Sequence, residues 1–103
     1  MEPQIKLSVI IPLFNESKII DQLVTRVETS VKKITENYEV IFIDDGSTDT
    51  TFTTLKDRTS HDDRLKHLSF SRNFGHQIAV MAGLDHCKGS AVVIIDGDLQ
   101  DPP

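Results

Sequence analysis

Four short runs of apolar residues, many of them β-branched, recur along the chain at intervals of about 30 residues. They are Leu7–Ile11, Tyr38–Ile43, Leu65–Phe70 and Ala91–Ile95. Runs of this length indicate β-strands, and the near-continuous apolar sequence of the second and fourth is typical of strands inside a parallel sheet. The pattern therefore predicts four strands.

The first two segments between these runs have helical spacing. Residues 17–34 carry an apolar stripe at intervals of three and four residues, and Ser17 is expected to cap that helix. The members of the stripe are Ile19, Ile20, Leu23, Val27, Val31 and Ile34. A weaker, threonine-rich helix is predicted over about Asp49–Thr59, with Phe52 and Leu55 as its buried residues.

A third helix is predicted over residues 76–87, and Gly89 is expected to end it. Its apolar side is expected to consist of Ile78, Met81, Ala82 and Leu84. The order of elements is β-α-β-α-β-α-β, which implies right-handed crossovers and a parallel sheet with helices on both faces. We expect an α/β fold, and specifically one Rossmann-like half.

A short polar cluster follows each predicted strand. The clusters read PLFNES, DDGSTD, SRNFG and DGDLQD. Because the carboxyl ends of parallel strands lie along one edge, the four clusters should meet there, where open α/β sheets bind ligands. Any chemistry of this chain is expected on that rim.

Asp44 and Asp45 are adjacent carboxylates at the end of the second strand. A turn explains part of the cluster, because Gly46 allows a positive φ and Asp49 or Ser47 can cap the next helix. Alternatively, the carboxylates accept hydrogen bonds from ribose hydroxyls or base N–H groups. The sequence of this cluster is compatible with both interpretations.

Asp96, Asp98 and Gln100 occupy alternate positions, so they point the same way along an extended chain. Two carboxylates and an amide oxygen suit a hard cation such as Mg²⁺ or Mn²⁺. Gly97 lets the backbone bend towards a ligand. The alternative is an Asp-Gly turn that begins a hairpin, but a shared rim with Asp45 favours the metal site.

The other two clusters offer further candidates. Phe14 can pack against a flat base, and Glu16, like its neighbour Asn15, either binds a ligand or opens the first helix electrostatically. Pro12 is expected to fix the turn after the first strand. Arg72 can pair with a phosphate or with a nearby acid, whereas Phe74 is expected to be a packing residue.

Composition narrows the choice of function. The chain has 103 residues, 38% hydrophobic and 26% charged, with 16 acidic against 11 basic side chains and a net charge of -5. The acidic balance argues against a nucleic-acid partner. The chain has one cysteine, Cys87, so it cannot form an internal disulfide. Its four histidines lack the spacing of metal ligands. No apolar run reaches the length of about 18 residues that spans a bilayer.

Taken together, SVIIPLFNES, VIFIDDGSTD, SRNFGHQIAVMAGLDHCKG and VVIIDGDLQDPP resemble the N-terminal half of a family 2 glycosyltransferase of the GT-A fold. The resemblance is strongest to the polyprenyl-phosphate glycosyltransferases. DDGSTD is shared broadly across the family, whereas RNFG followed by AGLDH and DGDLQDPP is more specific to the polyprenyl-phosphate branch.

The resemblance implies roles for individual residues. The nucleobase and ribose positions correspond to Pro12, Phe14, Glu16, Ile43 and Asp45, with Asp44 beside them. Phe14 stands where the family usually has tyrosine, so a hydroxyl contact is lost. The metal-binding D-x-D-x-Q motif corresponds to Asp96, Asp98 and Gln100, and Gly97 matches a small residue against the donor.

The implied reaction transfers a sugar, with inversion, from a UDP- or GDP-linked donor to a polyprenyl phosphate, assisted by Mg²⁺ or Mn²⁺. We expect residues 1–103 to be the donor-binding half of the domain, a fragment that is inactive by itself because the acceptor half is absent. The fragment should be soluble and prone to self-association through its uncovered edge. The full-length protein should act at the cytoplasmic face of a membrane.

Three other interpretations account for part of this pattern. A family 2 enzyme that extends polysaccharides or glycans shares DDGSTD and the metal aspartates but does not favour DLQDPP. A receiver-like signalling domain also gathers acids around Mg²⁺, but its acidic pair follows the first strand. A binding-only module for nucleotide and metal is the third.

Overall fold

The computed structural model describes residues 4–95, in which four strands and three helices strictly alternate. They are β1 (Leu7–Leu13), α1 (Ile20–Lys32), β2 (Tyr38–Asp44), α2 (Thr51–Thr59), β3 (Leu65–Ser69), α3 (His76–His86) and β4 (Ala91–Ile94). The predicted order of elements is therefore confirmed. The predicted strands agree with the observed ones to within two residues at each end.

The four strands form one parallel sheet in the order β3-β2-β1-β4. β1 thus lies between β2 and β4, as in the first half of a Rossmann sheet, whose order is 3-2-1-4. Receiver-like domains instead place β1 between β2 and β3. The topology excludes that alternative.

Helices cover both faces of the sheet, and each face has its own core. α1 and α2 pack on one face, where the largest members of the core are Tyr38, Phe42, Ile11, Ile20, Leu23 and Leu55. Of the three helices in residues 4–95, only α3 packs on the other face, over Ile10, Ile41 and Ile43. Because successive residues of a strand point to opposite faces, each strand supplies both cores.

The start of α1 differs from the prediction. The helix begins at Ile20, and no side chain caps it, so Ser17 is not its N-cap. The Ser17 backbone N–H instead donates to Asp49 Oδ2, at 3.3 Å, which draws this residue towards the neighbouring loop. Ile34 lies beyond the end of the helix and is 74% exposed, so it does not belong to the buried stripe.

The buried side of α2 also differs from the prediction. Thr51 and Leu55 are buried, whereas Phe52 is 42% exposed and rests edge-on against His67, with ring centroids 5.9 Å apart. Thr51 takes the inner position because its hydroxyl accepts a hydrogen bond from the loop after β1. The short helix therefore serves that loop as much as the core.

α3 turns its smallest residues towards the sheet. Ala79 and Gly83 are buried, and a Cβ atom added to Gly83 would lie only 2.5 Å from Ile10 Cγ2. The predicted inner side was wrong for three of its members, since Ile78, Met81 and Leu84 are exposed. Close packing on the sheet excludes long side chains, so the helix presents its alanine and glycine there.

Two further predictions about turns were wrong. Pro12 does not form a turn but is buried within β1, opposite Ile43. Gly89 does not end α3, which stops at His86; it passes so close to β1 that an added Cβ would lie 2.6 Å from Ser8 Oγ. Within residues 4–95, no helix has the length and apolar character needed to cross a membrane.

Candidate functional site

An open cleft of about 250 Å³ lies at the carboxyl ends of β1 and β2. Its lining consists of Pro12, Leu13, Phe14, Asp45, Asn73, Gly75 and His76. The two strand ends are held together where the Asp45 N–H donates to the Leu13 carbonyl at 2.9 Å. Three of the predicted nucleotide-binding residues, Pro12, Phe14 and Asp45, therefore share one cleft.

Asp45 fastens the loop before α3 to this rim. Its side chain is almost fully buried, and its two oxygens accept the N–H groups of Phe74, at 2.8 Å, and Gly75, at 3.0 Å. Its carbonyl oxygen accepts the side-chain amide of Asn73 at 3.2 Å. A carboxylate has about four acceptor positions, so Asp45 can hold this loop and still accept a ligand donor.

Asp44 faces the other side of the sheet and shapes the turn. Its Oδ1 accepts the Ser47 N–H at 3.0 Å. Gly46 has φ +72°, and an added Cβ would meet the Arg72 carbonyl carbon at 2.1 Å, because the backbone of the next loop passes directly over it. The turn interpretation therefore describes Asp44 and Gly46, while Asp45 belongs to the cleft.

The first two loops of the rim are joined by Asn15. Its Oδ1 accepts the N–H groups of Thr48, at 2.7 Å, and Asp49, at 3.3 Å, and its own N–H donates to Ser47 Oγ at 2.8 Å. Asn15 adopts the left-handed region, with φ 53°, which asparagine tolerates better than most residues. These contacts fix the backbone next to Phe14.

A second pair of contacts continues this junction. The Glu16 N–H donates to Thr51 Oγ1 at 3.0 Å, and Asp49 Oδ2 accepts the Ser17 N–H. Burial raises the pKa of Asp49, but the hydrogen bonds from Thr51 and Ser17 outweigh it and lower the pKa to about 2. Asn15, for which the sequence left a ligand role open, thus serves in this structure to join the two loops.

Arg72, Ile43 and Phe74 take positions that refine their predicted roles. The Arg72 guanidinium stacks on the Phe74 ring, 4.6 Å from its centroid, and among residues 4–95 we find no carboxylate paired with it. Ile43 is fully buried beneath α3, so its side chain does not reach the cleft. Phe74 contacts Phe70 edge-to-face but is 44% exposed, so it packs at the surface and not in the core, where a packing residue would be expected.

The predicted metal ligands, Asp96, Asp98 and Gln100, and the neighbouring Gly97 lie outside the described residues. The last described residue, Ile95, donates its N–H to the Ile10 carbonyl at 3.0 Å, so the chain leaves β4 alongside β1. In the part from residue 4 to residue 95, no three His, Cys, Asp or Glu side chains are grouped as metal ligands would be.

Comparisons with known proteins agree with this fold. The family model for Glycosyl transferase family 2 matches residues 8–103. The Bacillus subtilis "Uncharacterized glycosyltransferase YkcC" is 44% identical over 103 residues, which are 100% of this chain and 32% of that protein. An undecaprenyl-phosphate 4-deoxy-4-formamido-L-arabinose transferase of Aeromonas hydrophila is 41% identical over 97 residues, 93% of this chain and 30% of that protein. The chain thus spans about a third of the length of these relatives.

Two solved structures share the arrangement of strands and helices. Staphylococcus aureus TarS in complex with UDP superposes with a TM-score of 0.75 at 26% identity, over 90% of this chain and 27% of that one. A Pyrobaculum calidifontis mannosyltransferase with GDP-Man and Mn²⁺ gives 0.76 at 24% identity, over 93% and 28%. The predicted Rossmann-like GT-A sheet is therefore confirmed. With the family model matching almost its whole length, the chain belongs to glycosyl transferase family 2.

Proposed function

We propose that residues 1–103 form the nucleotide-sugar-binding part of an inverting glycosyltransferase whose acceptor is a polyprenyl phosphate. The observation that carries the proposal is the single cleft shared by Phe14 and Asp45 at the carboxyl edge of the sheet. This is where open α/β sheets bind nucleotides. The second support is the family, in which the relative from Aeromonas hydrophila is named for transfer to undecaprenyl phosphate.

The nucleotide of a UDP- or GDP-linked sugar would occupy this cleft. Phe14 is half-exposed on the cleft wall and offers an aromatic face for the base. The buried carboxylate of Asp45 keeps acceptor capacity for a base N–H or a ribose hydroxyl. Pro12 lines the cleft beside them, and Ile43 lies in the core beneath α3. Glu16 remains a candidate contact on the ground of the family resemblance alone. Arg72 remains our candidate for a phosphate contact.

Asp96, Asp98 and Gln100 would hold a divalent cation, Mg²⁺ or Mn²⁺. Their oxygen donors match the preference of these hard cations, and Gly97 leaves room for the donor. A cation bound there would neutralise the negative charge that develops on the departing diphosphate. The solved mannosyltransferase that contains GDP-Man and Mn²⁺ shares the fold.

In the proposed reaction, a phosphate oxygen of the acceptor attacks the anomeric carbon on the face opposite the nucleotide. The bond from that carbon to the diphosphate oxygen breaks, and the nucleoside diphosphate leaves with the electron pair. A phosphate monoester, whose second pKa is about 6, is already largely ionised at neutral pH. The acceptor therefore needs little help from a general base. With a lipid acceptor, the full-length protein would act at the cytoplasmic face of a membrane.

Calorimetric titration of the folded chain with UDP, GDP and their sugars, with and without Mn²⁺, tests the donor site. We expect one nucleotide to bind and Mn²⁺ to strengthen its binding. Asp98→Ala should abolish the effect of Mn²⁺ and leave metal-free binding intact. Absence of binding by every nucleotide, in a sample whose circular dichroism shows a folded chain, would refute the proposal.

The acceptor is tested with the full-length protein, supplied with a labelled nucleotide sugar. Undecaprenyl phosphate should become labelled, whereas a soluble oligosaccharide should not. Labelling of the oligosaccharide alone would favour the polysaccharide-extending alternative. Donor binding without transfer to either would favour a binding-only module.

Self-association is a separate expectation for this chain. Val92, Val93 and Ile94 of β4 and Met81 of α3 are exposed apolar residues, and such residues on an edge strand favour pairing between molecules. Sedimentation velocity over a range of concentrations should show dimers or larger species, which Met81→Glu should reduce. A monomer at all concentrations would contradict this expectation.

A further inference from the structure

A fully buried carboxylate, Glu39, lies at the end of the sheet opposite the cleft. It accepts hydrogen bonds from the Ser8 hydroxyl at 2.6 Å, the Lys66 ammonium at 2.7 Å and the Lys88 backbone N–H at 2.6 Å. The Gly89 N–H donates in turn to Ser8 Oγ at 2.8 Å. We refer to these five residues as the Glu39 network. It reaches from β3 across β2 and β1 to the segment that enters β4.

Glu39 is ionised within this network. Burial raises the pKa of Glu39, but the hydrogen bonds from Lys66, Ser8 and the Lys88 N–H outweigh that effect and lower it. The carboxylate is thus charged and fully partnered at neutral pH. Removing it would leave the fully buried Ser8 hydroxyl without its acceptor, and a buried donor without a partner is costly.

Apart from the Glu39 network, few contacts among the described residues fix the register of β4 against β1. β4 is four residues long, pairs with β1 from Leu7↔Ala91 to Ile10↔Ile94, and exposes the side chains of all four residues. Burial of one face is what normally specifies the register of a strand. In the described part of the chain, that contribution is weak for β4.

Gly89 makes the register unique. An added Cβ there would lie 2.6 Å from Ser8 Oγ and 2.7 Å from the Ser8 nitrogen. A slip by one residue would bring Lys88 or Ser90 to this point, and the Cβ of either would collide with the β1 backbone. The same slip would remove the Lys88 N–H from Glu39, so packing and hydrogen bonding select the same register.

We propose that Glu39 and Ser8 are positioning residues, which fix the register of β4 and thereby the point beside Ile10 at which the chain leaves the sheet at Ile95. The proposal rests on the proposed function for the role of the Asp96–Gln100 segment that follows. A slip of one residue displaces a strand by about 3.3 Å, whereas a metal site tolerates errors of only about 0.2 Å in ligand distance. The metal site that we propose after β4 therefore requires the correct register at the start of β4, where Gly89 meets Ser8.

Three substitutions in the full-length protein test this. Ser8→Ala removes the acceptor of the Gly89 N–H. Glu39→Ala removes the acceptor shared by Ser8, Lys66 and Lys88. Glu39→Gln keeps an oxygen for Ser8 and Lys88 but loses the charge that pairs with Lys66. Thr59→Ala is the matched control, because its partly buried hydroxyl bonds Leu55 and His67 on the opposite face of the sheet.

The first measurement is amide hydrogen exchange without nucleotide or metal. Ser8→Ala and Glu39→Ala should accelerate exchange at Ile95, which donates to Ile10 and touches neither substituted residue, by about tenfold or more relative to amides of β2. Glu39→Gln should restore most of the protection, and Thr59→Ala should not change it. Unchanged exchange at Ile95 in a folded Ser8→Ala protein would overturn the proposal.

The second measurement is the affinity for Mn²⁺ in the presence of the bound nucleotide. Ser8→Ala and Glu39→Ala should weaken it by about 10- to 100-fold, as loss of supporting residues does at other metal sites, while nucleotide affinity in EDTA stays within about twofold. Equal loss of both affinities would indicate general destabilisation and contradict the proposal. If the unsubstituted protein binds no Mn²⁺, the proposed function fails, yet exchange at Ile95 still tests the register.

If Glu39→Ala fails to fold, Ser8→Ala alone decides the outcome, since it removes a single oxygen atom from the network.

Discussion

The Asn15 side chain accepts the backbone N–H of Thr48 at 2.7 Å, although the two residues are 33 positions apart. This hydrogen bond joins the loop that carries Phe14 to the loop that carries Asp45. The two loops that line the cleft are therefore held together without a bound ligand, and the contribution of each contact can be tested.

Replacing Asn15 should loosen that frame. Asn15→Gly keeps the left-handed backbone and removes only the side chain, so the free energy of unfolding should fall by about 1 kcal/mol. Asn15→Ala should cost about 1 kcal/mol more, because alanine is disfavoured at φ 53°. Urea unfolding of both variants measures the difference. Equal stabilities would show that the backbone conformation contributes nothing.

Gly46 and Gly75 form a matched pair for a second prediction. Both have positive φ, but an added Cβ would strike the Arg72 backbone at Gly46 and would meet nothing within 4 Å at Gly75. Gly75→Ala should cost about 1–3 kcal/mol from backbone strain. Gly46→Ala should cost about 2 kcal/mol more, from overlap with the crossing loop. Chemical denaturation measures both values, and a smaller cost at Gly46 would contradict the close approach.

Phe14 should bind the nucleotide without stabilising the fold. Loss of a base-stacking aromatic ring costs about 1–3 kcal/mol, so Phe14→Ala should raise the Kd of the nucleotide about 5- to 150-fold. Phe52→Ala is the control, because Phe14 and Phe52 are similarly exposed, 43% and 42%, and Phe52 does not line the cleft. Calorimetry should show no change for Phe52→Ala, and an equal loss in both variants would refute a specific role.

Acid should weaken the junction of the first two loops through Asp49. Its pKa is about 2 in the folded protein against an ordinary value of 3.8, so its stabilising contribution is complete above about pH 4 and is lost as the pH falls towards 2. The difference in unfolding free energy between the natural protein and Asp49→Asn should therefore shrink over that interval. A difference that stays constant from pH 5 to pH 2 would contradict the lowered pKa.

Asp45→Ala should affect both nucleotide binding and the position of the loop before α3. The substitution should weaken nucleotide binding without metal, but part of the loss should come from release of the loop that Asp45 holds through Phe74 and Gly75. Asp45→Asn keeps one acceptor oxygen and should release the loop only partly. Amide exchange at Gly75, measured without nucleotide, separates the two contributions.

The order of strands and helices could be predicted because it depends on local apolar patterns, such as the run from Tyr38 to Ile43. The rim could be predicted because parallel strands share one carboxyl edge. The inner side of α3 could not, since both sides of the helix are apolar. Only the distance between helix and sheet decides that Ala79 and Gly83, and not Met81, face inward.

The roles of polar residues at the rim were predictable in kind but not in detail. Asn15 and Asp49 carry groups that either bind a ligand or bind backbone, and the choice depends on where the other loop's N–H groups point. The same holds for Asp45, whose two loop partners follow it by about 30 positions. The Glu39 network depends on four separate segments, which no local pattern relates.

The missing side chain of Gly83 also acts at a distance. Because the helix rests directly on Ile10 and Ile43 at this point, Gly83 sets the height of α3 above the sheet. A larger residue at position 83 would collide with Ile10 and push this end of the helix away from the sheet, so the helix would tilt. The helix begins at His76, about 10 Å away along its axis, and His76 lies in the wall of the cleft at the carboxyl ends of β1 and β2. A side chain at position 83 would therefore be expected to change the width of the cleft from the opposite end of the helix.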